Sequence, residues 1–236
     1  MGEVDEVARI RGVYQRYQDD AAKLAQWSEA NLGNQAIEDE RTLLIRRLLA
    51  EAGLLPLTDR RVLDIGCGNG TELARMAEWG AAREDLYGID LLDDVVRTAR
   101  AQHPGVHIEV GNAERLEFPD ESFDLVLLFT VLSSVLDEAM ARHIGAEVRR
   151  VLVPGGGVVW YDLRCPNPRN RAVRPLRRAA SERLFPGFAM RLLPATVLPP
   201  LARRLGRFTP VWYPRLARIG LLQTHYVGFL TKPLTA

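Results

Sequence analysis

The sequence is poor in the residues that hold metals or build disulfide-rich folds. It has two cysteines and four histidines among 236 residues. One pair of cysteines is too few for a disulfide framework, and Cys67 and Cys165 fall in two different predicted loops. The histidines have no metal-ligand spacing relative to cysteines or clustered acids. We therefore expect a reduced, cytoplasmic protein with no metal.

A long apolar run is also missing. No stretch approaches the roughly 20 apolar residues of a membrane-spanning helix, so no transmembrane segment is expected. The start of the chain, residues 1–6, is acidic and lacks the basic and apolar regions of a signal peptide. With 47% hydrophobic and 26% charged residues, the chain is long enough for one sizeable α/β core.

Acidic residues are almost absent from one segment. Residues 164–218 hold thirteen arginines and one acid, Glu182, for a formal charge of +12, whereas residues 1–163 carry −12. This asymmetry suggests an anionic partner for the basic segment. Alternatively, the arginines solvate a surface and pair with acids of the first part. No nucleic-acid recognition module accompanies the charge, so no nucleic acid is expected.

Strand patterns alternate with helical patterns in the middle of the chain. Strands are predicted at 61–65, 86–90, 106–110, 123–129 and 157–163, with helices at about 71–79, 93–102 and 137–152. This order predicts a parallel sheet covered on both faces. Two helices precede it, at 3–18 and 34–52. After residue 163 the rhythm breaks, with helical patterns near 174–185, 199–206 and 212–220 and strands at 188–198 and 223–231.

The most informative segment is the end of the first strand. Asp64 follows a short β-branched run, and a turn with Gly66, Gly68 and Gly70 comes directly after it. Glycine lets the backbone approach a ligand closely, and open α/β sheets bind ligands at this edge. A pyrophosphate disfavours a neighbouring carboxylate, whereas an ammonium group is attracted to one.

An acidic residue two positions before Gly-x-Gly-x-Gly resembles the first motif of the class I S-adenosylmethionine-dependent methyltransferases. The dinucleotide-binding alternative requires Gly-x-Gly-x-x-Gly. The sixth position is Thr71 when counted from Gly66, and Leu73 when counted from Gly68. The spacing therefore disfavours an NAD-dependent oxidoreductase.

Three later motifs extend the resemblance. Asp90 ends the second strand, where a carboxylate accepts both ribose hydroxyls of a nucleoside. The resemblance implies that Leu91 lies against the adenine, that Asn112, within the run 111–114, meets its amino group, and that the end of strand four lies near the methionine part. The cofactor contacts implied for S-adenosyl-L-methionine are Asp64, Gly66, Cys67, Gly68, Gly70, Asp90, Leu91, Asn112, Ala113, Glu114, Phe129 and Thr130.

The resemblance covers about residues 55–163 and is strongest to the branch that contains quinone and natural-product methyltransferases. It implies a Rossmann-like, doubly wound α/β sheet of seven strands whose last strand is antiparallel. Residues 1–55 are expected to form an N-terminal helical lid and residues 56–236 the cofactor-binding domain. Within that domain, residues 164–222 are expected to form a substrate-side insertion.

The acceptor side is less well specified by the sequence. Methyl transfer to a hydroxyl benefits from a base, and the candidates are Asp162 and His225; their alternatives are capping of the loop at 166–170 and core packing. In related O-methyltransferases a histidine often follows strand four, where this chain has Ser133 and Ser134. The candidate substrate contacts are Tyr14, Tyr17, Ser133, Arg164 and Asn167.

The expected function is methyl transfer from S-adenosylmethionine to a small molecule, most simply to an oxygen of a sugar, polyketide or lipid-linked acceptor. The apolar run 208–214 beside the arginines favours an acceptor with apolar and anionic parts. A homodimer is expected. The alternatives are an NAD-dependent oxidoreductase, a non-methylating protein that uses the same fold, and an RNA or protein methyltransferase.

Overall fold

The computed structural model describes residues 5–168 and 170–234, apart from the side chains of residues 22–24. The strands are β1 (Val62–Ile65), β2 (Leu86–Asp90), β3 (His107–Val110), β4 (Phe123–Phe129), β5 (Leu152–Leu163), β6 (Ala189–Val197) and β7 (Gln223–Thr231). The helices are α1 (Glu6–Asp19), α2 (Ala21–Gln26), α3 (Leu32–Glu51), α4 (Thr71–Glu78), α5 (Asp93–Gln102), α6 (Val131–Ser134), α7 (Glu138–Val151), α8 (Arg178–Leu184), α9 (Pro199–Arg204) and α10 (Thr209–Leu216).

The strands form one seven-stranded sheet in the order β3-β2-β1-β4-β5-β7-β6. Strands β1 to β5 run parallel to one another, and β7 is antiparallel to both β5 and β6. The strand order reverses between β1 and β4, so a crevice opens at the carboxyl ends of these two strands. This topology confirms the Rossmann-like fold with an antiparallel last strand.

The core has two layers because successive side chains of a strand point to opposite faces. Leu63 and Ile65 of β1 pack on one face with α7 residues such as Ile144. Val62 packs on the other face with α3 residues such as Leu49. The continuous apolar runs in β4 and β5 therefore reflect burial on both faces.

The helices before the sheet have different surroundings. The buried Ile10 of α1 belongs to the same cluster as Leu63. Helix α3 packs on the opposite face and supplies Ile45, Leu48 and Leu49 to that core. Residues 1–55 thus contact both faces of the sheet, and the division into a lid and a domain stays a prediction. Residues 3 and 4 of the predicted first helix lie outside the described residues.

Several boundaries differ from the sequence prediction for local reasons. The helix predicted at 212–220 begins at Thr209 and ends at Leu216. Proline is favoured in the first turn of a helix, and Pro210 occupies that turn. Strand β5 begins at Leu152, five residues early, because Leu152 already pairs with Phe123 across an irregularity in the ladder. The short helices α2 and α6 carry too few residues for a periodic signal.

Within the described ranges, no helix combines the length and the hydropathy needed to cross a bilayer. The same ranges contain no cluster of histidine, cysteine, aspartate and glutamate that could hold a metal ion.

Candidate functional site

A cavity of about 550 Å³ lies at the carboxyl ends of β1, β2 and β4. Helix α1 covers one side of it, and α7 closes another. Most of its walls are apolar, and they include Ile10, Ile65, Val131, Val135, Met140 and Ile144. Ligand sites in open α/β sheets occupy this position, where the strand order reverses. The cavity is therefore the candidate functional site.

Gly66 and Gly68 of the turn after β1 form the floor of this cavity, whereas Gly70, another predicted cofactor contact, is not part of its wall. Gly66, Gly68 and Gly70 have φ of 73°, 52° and 81°, a region that disfavours residues with a Cβ. A Cβ on Gly66 would lie 2.9 Å from the Val131 side chain, and one on Gly70 would lie 2.6 Å from the His103 ring. A Cβ on Gly68 would meet no atom within 4 Å. Gly68 therefore exposes bare backbone to the cavity, as the sequence predicted.

Asp90 lies beside this turn at the end of β2. Its Oδ2 accepts a hydrogen bond from the Gly68 amide at 3.1 Å, and its Oδ1 accepts one from the Leu92 amide at 3.0 Å. The two bonds fix the carboxylate at the cavity wall. A carboxylate oxygen accepts more than one hydrogen bond, so both oxygens can still receive a hydroxyl from a ligand.

The side of the cavity next to β3 is built by Leu91, Gly111, Asn112 and Ala113. Asn112 Oδ1 accepts a hydrogen bond from the Glu114 amide at 3.0 Å, which orients its side chain. Glu114 itself does not line the cavity; its Oε1 lies 3.2 Å from Nδ1 of the exposed His143. Three of these four residues, Leu91, Asn112 and Ala113, are predicted cofactor contacts, and together they form a mostly apolar part of the wall.

The end of β4 turns sharply at Thr130, which has a φ of 57°. This conformation is costly for a β-branched residue and is kept only where the surroundings enforce it. The Thr130 amide donates to the Tyr161 carbonyl at 2.7 Å, and the Ser134 hydroxyl donates to the Thr130 carbonyl at 2.8 Å. Phe129 and Thr130 thereby line the cavity, and their predicted contact with the methionine part of a cofactor stays a prediction.

Asp162 supports this turn from below and does not line the cavity. Its side chain is 1% exposed. Its Oδ2 accepts from the Ser133 amide at 3.1 Å and from Trp160 Nε1 at 3.3 Å, and its Oδ1 accepts from the Leu163 amide at 2.9 Å. Burial raises the pKa of Asp162 to about 6. These contacts favour a role in holding α6, and the role of a base stays a prediction.

Asp64 is buried on the opposite face of the sheet from the cavity. Ile65 lines the cavity, and alternate residues of a strand point to opposite sides. Burial raises the pKa of Asp64 well above its usual value, and the nearby Glu72 and Asp90 raise it further, while Arg41 acts in the other direction. An added cation would relieve this repulsion. Its predicted contact with a ligand ammonium group stays a prediction.

Cys67 contributes only its backbone to the turn. Its side chain is 6% exposed, and its Sγ would lie 2.9 Å from a Cβ on Gly88. Burial raises the pKa of this thiol. The amides of Gly66 and Cys67 both donate to the Ile89 carbonyl, at 2.8 Å and 3.0 Å, which ties the glycine turn to β2.

His225 also lies away from the cavity, on β7. Its ring stacks on Tyr161 with centroids 4.8 Å apart, and its Nδ1 shares a hydrogen bond with the Thr224 hydroxyl at 2.9 Å. Burial, and then the charge of Arg41, lower the pKa of His225 to about 4. The ring is therefore neutral near pH 7, and its predicted role as a base is supported by no contact with the cavity.

The predicted substrate contacts separate into two groups. Tyr14 lines the cavity, its hydroxyl shares a hydrogen bond with that of Ser134 at 2.9 Å, and burial raises its pKa. Tyr17 lies next to it and donates to Asn170 Oδ1 at 3.2 Å. Arg164, whose guanidinium lies over the Tyr226 ring at 5.2 Å, is not part of the cavity wall. Ser133 and Asn167 are not part of that wall either.

Helix α1 is fastened over the cavity by polar contacts with the loop after β4. Arg9 donates to the Ser134 carbonyl at 2.6 Å and to Glu6. Glu6 Oε1 in turn accepts from the Leu136 amide at 2.6 Å. No sequence pattern predicts these contacts with the loop, because their partners lie more than a hundred residues apart in the chain.

Comparisons with known proteins agree with this geometry. Residues 62–156 match the family model described as a methyltransferase domain. The chain is 37% identical over 140 residues to a 27-O-demethylrifamycin SV methyltransferase of Amycolatopsis mediterranei, covering 56% of this chain and 48% of that one. It is 36% identical over 113 residues to a phthiotriol/phenolphthiotriol dimycocerosates methyltransferase of Mycobacterium ulcerans, covering 47% and 40%. The chain thus spans less than half the length of these curated relatives.

Solved structures share the fold. An S-adenosylmethionine-dependent methyltransferase from Mesorhizobium loti superposes with a TM-score of 0.59 at 19% identity, covering 80% of this chain and 98% of that chain. A [4+2]-cyclase superposes with a TM-score of 0.58 at 18% identity, covering 80% of both chains. At this level of identity the likeness concerns the fold alone.

Proposed function

We propose that this chain, which belongs to the class I S-adenosylmethionine-dependent methyltransferases, transfers a methyl group to a hydroxyl oxygen of a small molecule. S-adenosyl-L-methionine is the cofactor of that family. The observation that carries the proposal is the juxtaposition of Asp90, the bare backbone of Gly68 and the apolar wall beside Asn112 around one cavity. Each part has the chemistry that one portion of this cofactor requires.

The residues present fit the cofactor. Asp90 would accept the ribose hydroxyls, because each of its oxygens has only one backbone donor. Leu91, Ala113 and Val131 would enclose the adenine, and the Asn112 amide would meet its amino group. The turns at Gly68 and Thr130 would border the methionine portion. Asp64 lies behind the turn, and a bound cation would lower its raised pKa and so favour its charged form.

When bound, S-adenosylmethionine supplies a methyl group that its positively charged sulfur makes electrophilic. The chain's task is then mainly to position the acceptor and exclude water, and alignment alone contributes up to roughly 7–11 kcal/mol. Ile10, Met140 and Ile144 make the site apolar. Tyr14, with its raised pKa, stays protonated and donates its proton to Ser134 Oγ, because the Ser134 hydroxyl donates to the Thr130 carbonyl. The Tyr14 oxygen is then suited to accepting a hydrogen bond from a ligand.

The proposed acceptor is a lipid-like or polyketide-like molecule that carries a hydroxyl group. Relatives named for rifamycin, phthiotriol dimycocerosate and fatty-acid methylation support this class. The apolar cavity wall next to α1 also favours a poorly hydrated acceptor. A sugar linked to a lipid has the same combination of apolar and hydroxyl-bearing parts.

Calorimetry with S-adenosylhomocysteine and with NAD tests the cofactor. We expect binding of S-adenosylhomocysteine and no binding of NAD; the reverse result would establish the oxidoreductase alternative. A turnover assay that follows S-adenosylhomocysteine release with hydroxylated lipid and polyketide acceptors then tests transfer. Release with RNA or protein, but with none of these acceptors, would refute the small-molecule assignment. Cofactor binding without release would favour a non-methylating protein.

A further inference from the structure

The outward face of α10 is apolar, although the helix lies at the surface. Phe208, Val211 and Trp212 have the i, i+3, i+4 spacing of one helix face and are 54%, 52% and 50% exposed. The turn that follows adds Ile219 and Leu221, which are 48% and 93% exposed. Single exposed apolar residues are ordinary, but several that share one helix face and the turn after it favour an interaction site. We call these five residues the α10 surface.

The inner face of α10 packs against the core, so the exposure of its outer apolar residues follows from the fold. Tyr213 is buried with Ile37, Val197 and Ala202. Its hydroxyl donates to Glu40 of α3 at 2.7 Å, and the same carboxylate oxygen accepts from the Thr196 amide at 2.8 Å. The helix is therefore held against α3 and β6 while its outer residues face solvent.

Four arginines lie on or next to α10 in sequence, and none of them forms an ion pair with an acid of the described residues. Arg204, Arg207, Arg215 and Arg218 are exposed, and after Glu182 the sequence contains no acidic residue. Among the described residues, other arginines of the basic segment do pair with acids: Arg174 lies 3.6 Å from Glu138, and Arg191 lies 2.8 Å from Glu51. Pairing with acids of residues 1–163 therefore accounts for some arginines of residues 164–218, but not for these four arginines.

Two of these arginines rest on the apolar surface itself. The guanidinium of Arg207 lies 5.0 Å from the Phe208 ring centroid, and that of Arg215 lies 5.8 Å from the Trp212 ring centroid. Arginine and tryptophan combine an apolar body with a polar end, which suits the boundary between hydrocarbon and headgroup. An amphipathic element with basic residues at its edges binds this boundary by apolar burial and by charge.

We propose that the α10 surface docks the protein onto an anionic phospholipid bilayer. The apolar residues enter the interface, and the four arginines contact the phosphate groups around them. A second copy of the chain fits less well, because a symmetric contact would bring two rings of arginines together. Single-stranded RNA would use the aromatic rings and the charge, but would leave Val211, Ile219 and Leu221 without a partner. This inference is independent of the proposed enzymatic function.

Vesicle co-sedimentation of the full chain tests the proposal. We expect binding to phosphatidylcholine vesicles that contain about a third phosphatidylglycerol, and at least tenfold weaker binding to phosphatidylcholine alone. Binding should weaken as salt is added, because screening reduces attraction between exposed charges. Trp212 fluorescence should shift to shorter wavelength on binding.

Matched variants separate the contributions of the surface. The pair Arg207→Gln and Arg215→Gln should lower the partition coefficient about fivefold per arginine, since each basic side chain at an anionic surface contributes about 1 kcal/mol. The pair Trp212→Ser and Leu221→Ser should lower it at least tenfold. The control pair Leu43→Ser and Arg46→Gln, at exposed positions on α3, should leave it unchanged.

Four results would overturn the proposal. They are equal binding to neutral and anionic vesicles, equal loss in the control pair, binding of RNA without binding of vesicles, and a dimer in sedimentation that the Trp212→Ser and Leu221→Ser pair dissociates. Because the substituted side chains are all exposed, thermal unfolding of each variant should match the wild type, which separates lost binding from lost folding.

Discussion

Replacement of Asp90 by asparagine tests the central contact of the candidate site. Each Asp90 oxygen accepts one backbone amide, from Gly68 at 3.1 Å and from Leu92 at 3.0 Å. Asparagine keeps one acceptor oxygen and places an NH₂ group against the other amide. One ribose hydroxyl of the cofactor would then lose a charged acceptor, and the other would bind a neutral one.

The size of the effect follows from these lost bonds. A hydrogen bond to a charged group contributes about 1.5–3 kcal/mol, so the affinity for S-adenosylhomocysteine should fall about 10- to 150-fold. The free protein should also lose about 1–3 kcal/mol of unfolding free energy, because one backbone amide is left facing a donor. Calorimetry at fixed pH gives the first quantity, and urea unfolding gives the second.

Asp93→Asn is the matched control, since Asp93 is exposed and pairs only with Arg97 at 3.2 Å. Its affinity for S-adenosylhomocysteine should stay within twofold or so of the wild type, as expected for a surface substitution. If Asp90→Asn bound the ligand with an affinity within about threefold of the wild type, despite intact folding, the ribose assignment would be wrong. An equal loss in Asp93→Asn would point to a general charge effect instead.

The remaining predictions concern stability and the cavity wall. Gly145→Ala should lower the unfolding free energy by about 1–3 kcal/mol, because its Cβ would lie 2.4 Å from a backbone carbonyl of α8. Gly12→Ala, whose Cβ would lie 3.5 Å from a flexible arginine, should raise it by about 0.5–1 kcal/mol. Similar values for the two variants would contradict this packing. Asp162 and His225 should make the free energy of unfolding depend on pH in opposite directions, each by about 3 kcal/mol. Urea unfolding at several pH values measures this dependence. The pKa of Asp162 is raised from 3.8 to about 6, so its contribution is lost as pH rises through 6, whereas the pKa of His225 is lowered from 6.5 to about 4, so its contribution is lost as pH falls through 4. Relative to the wild type, Asp162→Asn should therefore gain stability with rising pH and His225→Asn should lose it; slopes of the same sign would refute this. Tyr14→Phe should weaken S-adenosylhomocysteine binding about 2- to 10-fold through loss of one neutral hydrogen bond, and an unchanged affinity would place the hydroxyl outside the cofactor site.

Local sequence signals were sufficient to group several residues of the cavity wall, whose roles as cofactor contacts stay predictions. The glycine turn and Asp90 follow buried strands whose ends must meet at one edge of a parallel sheet, so the residues after those strands are brought together by topology. That reasoning placed Gly68, Asp90, Asn112 and Thr130 around one space, as the structure does.

The direction of individual side chains was harder to predict. Asp64 and Ile65 are neighbours in β1, yet only Ile65 reaches the cavity, because the pleat sends adjacent residues to opposite faces. Ser133 and Ser134 differ in the same way: Ser134 lines the cavity, while the Ser133 amide binds Asp162. When the exposed face of a strand or short helix is unknown, the sequence does not show which of its residues face the cavity.

The contacts of α1 were beyond reach for another reason. Arg9 and Tyr14 bind residues more than a hundred positions away, at Ser134. The periodicity of a helix concerns residues three and four apart, so it does not predict such long-range contacts. The acidic and basic residues of α1 are equally compatible with a solvent-exposed helix face.

The attachment of α1 has a kinetic consequence. We expect a ligand bound beneath this helix to leave more readily when the bonds from Arg9 and Tyr14 to Ser134 break. Because these bonds are few and none of them belongs to the strand pairing of the sheet, they can open without disturbing it. Product release, and not the chemical step, would then limit the rate of turnover. Substitutions that weaken these bonds would speed the release of S-adenosylhomocysteine and would also admit more water to the cavity.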